Sequence, residues 1–95
     1  MAQKIIWSPR AADDLEDICK YIERDSQRYS AVFAQRVFSA VELLAEFPET
    51  GRIVPEYDDF CLRERILGNY RIVYRMSENT VGIAAISHGS RLLHL

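Results

Sequence analysis

Between Phe60 and Ser87 the chain runs through three β-prone segments broken only by Gly68-Asn69 and by Ser77-Glu78-Asn79. Links that short join neighbouring strands as hairpins, so Phe60–Leu67, Tyr70–Met76 and Thr80–Ser87 are predicted to form an antiparallel meander. Alternation sorts the faces: Leu62 and Ile66 point one way and Arg63 and Arg65 the other, while Tyr70, Ile72, Tyr74 and Met76 oppose Arg71, Val73 and Arg75. The expected sheet has one apolar face and one arginine-rich face, with Glu64 and Glu78 offsetting part of the charge. An apolar face must leave water, and in 95 residues its cover has to come from residues 1–50.

That stretch reads as one strand and two helices. Residues 3–7 are β-prone, and Ser8-Pro9 then supplies a helix N-cap followed by proline at the first helical position. Ala11, Leu15, Ile18 and Ile22 recur at helical spacing, and Asp13, Asp14, Glu16 and Asp17 put acid toward the positive helix end; this helix is expected to end near Ser26. Ser30 is expected to cap a second helix with the stripe Ala34, Val37, Phe38, Val41, Leu44 and Ala45, stopped by Pro48 and Gly51. A short link makes the two helices an antiparallel hairpin. Residues 51–59 lack a period and read as an irregular connection that could wall a site. The predicted fold is a single α+β domain over residues 1–95, in the order β-α-α-β-β-β, with the helical hairpin packed on one face of a mainly antiparallel sheet.

The longest apolar runs are far too short to span a bilayer, and the N-terminal residues lack the apolar stretch of a secretion signal, so a cytoplasmic protein without a membrane partner is expected. Cys19 and Cys61 stand alone, without CxxC spacing or a histidine cluster, and are expected to be small buried hydrophobes; no metal or cofactor site is expected. Ten of the twelve basic residues are arginine, and residues 60–95 carry five arginines against two acids. The planar guanidinium fork suits carboxylate and phosphate partners.

Ser8-Pro9-Arg10-Ala11-Ala12-Asp13-Asp14-Leu15, Pro48-Glu49-Thr50-Gly51-Arg52, Leu62-Arg63-Glu64, Tyr70-Arg71-Ile72-Val73-Tyr74-Arg75 and His88-Gly89-Ser90-Arg91, in this order, resemble the RelE/ParE toxin family, the ParE side more closely. The resemblance runs from residue 3 to about residue 93. It implies the toxin of a type II toxin–antitoxin system, held silent by a cognate antitoxin in a toxin–antitoxin hetero-oligomer. Members similar to ParE poison DNA gyrase; members similar to RelE cut messenger RNA in the ribosome.

A metal-independent ribonuclease needs a base, an acid and cations around the phosphate. Arg63, Arg65, Arg71 and Arg91 match places where RelE-type nucleases keep basic residues, but no tyrosine follows Arg91 to match the one those enzymes use. A related nuclease branch pairs a glutamate of the connecting loop with an arginine and a C-terminal histidine, which Glu56, Arg71 and His94 imitate. His88 is expected to shape the turn where the last strand ends, and Tyr70 and Tyr74 fall on the apolar alternation as core residues. The leading expectation is a gyrase-poisoning toxin; the alternatives are ribosome-dependent or free cleavage of messenger RNA, and a non-toxic interaction module. Arg63, Arg65, Arg71, Arg75 and Arg91 are the candidates for binding antitoxin or target. The antitoxin is expected to lie as a helix or strand along the apolar helical groove and to bring acidic residues to the arginines.

Overall fold

The computed structural model describes residues 2–95. Strand β1 (Lys4–Trp7) leads into helix α1 (Pro9–Glu23) and helix α2 (Gln27–Glu46); a 3₁₀ turn (Pro48–Thr50) and a two-residue strand β2 (Arg52–Ile53) precede β3 (Leu62–Leu67), β4 (Tyr70–Met76) and β5 (Thr80–His88). The sheet order is β1-β5-β4-β3-β2, with β1 parallel to β5 and every other pair antiparallel. The expected α+β architecture is therefore present, with one strand more than the alternation revealed. Two residues are too few to show a period, so β2 was hidden in the connection.

Two helix boundaries differ from expectation: α1 ends at Glu23 and not near Ser26, and α2 begins earlier than Ser30. Ser26, not Ser30, caps α2, its hydroxyl accepting from the Tyr29 N–H at 3.1 Å. Ser30 lies inside the helix, buried, and donates to the Cys19 carbonyl at 2.8 Å, tying the helices together. Ser8 caps α1 as expected, accepting from Ala11 N–H, and its hydroxyl also donates to the Ala84 carbonyl across the fold. The buried face of α2 is Val37, Ala40, Val41, Leu44 and Ala45; Phe38 is half exposed, its ring resting on Trp7.

The sheet is sandwiched. On the helix side Ile72, Tyr74, Val81, Ile83 and Ile86 meet Ala11, Val37, Val41 and Leu44. The other face, expected to be open and arginine-rich, carries a second core of Val54, Leu62, Val73, Ala85 and Leu93, roofed by the 54–61 connection and the C-terminal tail. A bulge makes both possible: Val73 pairs with Ala85 but Tyr74 with Ile83, so Ala84 is the extra residue. It shifts the phase of β5 so that Ile83 and Ile86 both face the helices. Beyond Ile83 β5 keeps β4 on one edge but has no strand on the β1 side, and there α1 supplies the missing partners: Ser8 bonds the Ala84 carbonyl, and the Asp14 carboxylate accepts from the Ile86 N–H at 3.0 Å.

Neither cysteine behaves as a buried hydrophobe. Cys61 is exposed beside β3, and Cys19 is only partly buried. Among the described residues, no helix is long and apolar enough to cross a membrane.

Candidate functional site

The candidate arginines do not share a face. The two-residue turn at Gly68-Asn69 pairs Leu67 with Tyr70, and from that register Arg63 faces Tyr74 and Arg65 faces Ile72, while Arg71 pairs with Ile66 and Arg75 with Leu62. Paired residues project to the same side. Arg63 and Arg65 thus stand on the helix side of the sheet and Arg71 and Arg75 on the tail side, which corrects the single arginine-rich face. Alternation within each strand was read correctly; the phase between strands was the missing step, although the turn carried that signal.

Arg71 sits at the centre of a buried charge cluster on the tail side. Its guanidinium donates to both carboxylate oxygens of Glu56 (3.0 and 2.5 Å), to Glu64 (2.8 Å) and to the Arg91 carbonyl (2.8 Å). The Glu64 side chain is fully buried and holds Arg52 on its other oxygen at 2.5 Å. Glu56 also accepts from the Leu93 N–H at 2.8 Å. The Arg71 hydrogen bonds, with the Leu93 amide next in weight, lower the Glu56 carboxyl to about 2, and Glu56 in turn raises Arg71. A carboxylate so stabilised is a weak general base, since proton transfer is most efficient when the base's pKa lies near the working pH.

The same cluster straps the C-terminal tail across the second core. Leu93 is buried beneath it, the Leu95 N–H reaches the Tyr57 hydroxyl at 2.8 Å, and Arg10 of α1 donates to the His94 carbonyl. The expected trio of Glu56, Arg71 and His94 is only partly assembled. Glu56 and Arg71 form an ion pair, whereas His94 lines a separate cleft of about 780 Å³ between α1 and the tail, together with Arg10, His88 and Arg91. His88 is turned to its own loop, its Nδ1 2.7 Å from the Ser90 hydroxyl.

Arg63 is a brace. Buried to 8% exposure, it donates to the carbonyls of Phe60 (2.8 Å), Gly51 (2.9 Å) and Glu49 (3.4 Å), and its guanidinium lies over the Phe60 ring. Beside it Tyr74, fully buried, donates to the Pro48 carbonyl at 2.6 Å and accepts from the Gly51 N–H at 3.0 Å. Arg75 is exposed and paired with Asp59 at 3.1 Å. Of the five arginine candidates, Arg63, Arg65 and Arg91 have no ion-pair partner among the described residues, and Arg63 is taken up by backbone carbonyls. Arg65 lines a shallow groove against α2 with Arg36, Leu43 and Leu67; Arg91 lines the α1–tail cleft. No cluster of metal-ligating side chains occurs among the described residues.

Glu64 offsets arginine charge as expected, through Arg52 and Arg71, whereas sequence reasoning missed the roles of Asp14 and the Tyr74 hydroxyl. Each acts on a backbone group or side chain distant in sequence, so no local pattern announces it.

The family model described as the ParE toxin of the type II toxin–antitoxin system parDE matches residues 5–93. The chain is 37% identical to Toxin RelE2 of Caulobacter vibrioides across 97% of this chain and all of that one. Among solved structures it is similar to a chromosomal ParDE toxin–antitoxin system from P. aeruginosa, with a TM-score of 0.74 at 19% identity, covering 92% of this chain and 96% of that one. It is also similar to the RelBE2 toxin–antitoxin complex of Mycobacterium tuberculosis, with a TM-score of 0.63 at 20% identity, covering 93% and 99%.

Proposed function

The chain belongs to the ParE toxin family of type II toxin–antitoxin systems, and from that membership we propose that it arrests growth in the cytoplasm by capturing DNA gyrase on DNA. The observation that carries this reading over RNA cleavage is the state of Glu56, Arg63 and Arg71. The one carboxylate placed to serve as base is locked in an ion pair, and two of the cations a nuclease would turn to phosphate are spent on carboxylates and carbonyls within the fold. A clamp on a phosphate needs guanidinium donors that are free to turn outward. What remains exposed suits contact between proteins.

A cognate antitoxin silences the toxin in this reading. The groove along α2 offers it the half-exposed Leu43 with Arg36 and Arg65, a pairing of apolar stripe and unpaired cation that fits an amphipathic segment bearing acidic residues. Arg65→Glu is expected to weaken antitoxin binding, with a loss that shrinks as salt rises; an affinity indifferent to both would contradict the electrostatic part of this assignment.

The test treats supercoiled plasmid and gyrase with the purified chain and, in parallel, a translating extract whose messenger is mapped for new ends. Trapped linear or nicked plasmid with intact messenger is the expected result. New messenger ends with unaffected plasmid would overturn the reading in favour of ribonuclease activity, and no effect in either arm would leave an interaction module without toxicity.

A further inference from the structure

At the end of the sheet remote from the tail, Phe47 at the C-terminus of α2 and Phe60 before β3 flank an open socket of about 570 Å³ floored by Met76. Both rings are more than half exposed, at 56% and 59%. Aromatic surface left in water is disfavoured, and side chains free to move would fold inward to cover it. Here they are held: Arg63 underlies the Phe60 ring and ties the Phe60, Gly51 and Glu49 carbonyls together, and Tyr74 pins the Pro48–Gly51 turn that leaves Phe47. A buried polar frame therefore keeps an apolar socket open, which is the preorganisation that a binding hot spot needs.

The rim is acidic. Glu49 and Glu78 are the only charged residues lining the socket; both are exposed, and neither has an ion-pair partner among the described residues. The complementary ligand is an apolar side chain flanked by lysine or arginine. A DNA-handling enzyme presents such cations along its DNA path. We propose that the Phe47–Phe60 socket docks an apolar side chain flanked by basic residues on the surface of gyrase, an assignment that rests on the gyrase reading above.

The experiment measures the affinity of immobilised gyrase, and separately of the antitoxin, for the unaltered chain and for F47A/F60A and E49K/E78K. The charge reversals lie on exposed positions and keep the frame intact, so they report on docking even where the phenylalanine pair disturbs folding. Both variants are expected to bind gyrase roughly tenfold or more weakly, with antitoxin affinity unchanged, as for loss of a central anchor. The E49K/E78K loss is expected to shrink at high salt. Unchanged gyrase affinity in both variants overturns the socket while the gyrase reading stands. Antitoxin affinity lost with gyrase affinity retained gives the socket to the antitoxin and equally overturns the proposal. An unaltered chain that does not bind gyrase overturns the underlying reading, and the proposal with it.

Discussion

Replacing Arg71 by methionine keeps the length and apolar stem of the side chain but removes the hub of the charge cluster. Four hydrogen bonds disappear, two to Glu56, one to Glu64 and one to the Arg91 carbonyl. What they leave behind sets the magnitude. The Glu64 carboxylate is fully buried and keeps only Arg52, while Glu56, one-fifth exposed, keeps the Leu93 amide and some water. Removing one member of a buried pair costs about 3–5 kcal/mol, and these residual partners place Arg71→Met at the lower end, about 3 kcal/mol. For a domain of this size each kcal/mol moves Tm by about 4–8 °C, so thermal unfolding at pH 7 should come roughly 12–24 °C earlier. A pH series checks the cause. In the unaltered protein the Glu56 carboxyl is lowered from 4.5 to about 2, so its contribution to stability is complete above 4.5 and is lost as pH falls toward 2. The variant keeps only the smaller part of that contribution, from the Leu93 amide, and the gap between the two proteins should narrow across that window. Circular dichroism melts and urea unfolding at pH 7 and pH 3 measure both effects. A loss under about 1 kcal/mol at pH 7, or one that does not change with pH, would refute the cluster as a source of stability. Any fall in toxicity of Arg71 variants has to be normalised to folded protein, because unfolding alone would mimic a catalytic loss.

Tyr74→Phe strands the buried Gly51 N–H and should cost about 1–3 kcal/mol in urea unfolding; because burial raises the Tyr74 phenol, its contribution holds below pH ~10 and fades above it, an alkaline loss that the phenylalanine variant should lack. Gly51→Ala would press a new Cβ against the Tyr74 hydroxyl and to 2.7 Å from the Glu64 carbonyl, costing about 1–3 kcal/mol. The double variant should lose less than the sum, and strict additivity would contradict a shared contact. Leu93→Ala removes the buried anchor of the strap and should cost about 2–4 kcal/mol while speeding tryptic cleavage after Arg91; unchanged protection would mean the tail is held by its polar contacts alone. Asp14→Ala frees the Ile86 N–H beside the bulge and should cost about 1 kcal/mol, whereas Asp13→Ala on the exposed face serves as the silent control.

Ser8-Pro9, the three-to-four spacing of α1 and the two hairpin turns were legible because each is a short-range device whose physical cause lies within a few residues. The start of α2 was misplaced because Ser26 and Ser30 are both competent caps four residues apart, one helical turn. Only docking against Cys19 of α1 shows that Ser30 belongs inside the helix. The site residues followed the same division. Arg63, Arg65, Arg71, Arg75 and Arg91 could be singled out by type and alternation, yet three of the five proved to be internally paired, since partners such as Glu64, Asp59 and the Gly51 carbonyl are chosen by register and not by local pattern.

Apart from β2, the elements, their order and the apolar surfaces that force two helices onto one face of the sheet were written locally in the sequence, because propensity, capping and periodicity act over a turn or a strand pair. Tertiary structure alone decided that the opposite face would also be covered. Strand register put Arg71 between Glu56 and Glu64, and the bulge at Ala84 split β5 between two cores. The tail, which carries no period of its own, was drawn down by Leu93 and held by Glu56. Such contacts join residues tens of positions apart, and their energy exists only once the sheet has brought them within hydrogen-bonding distance.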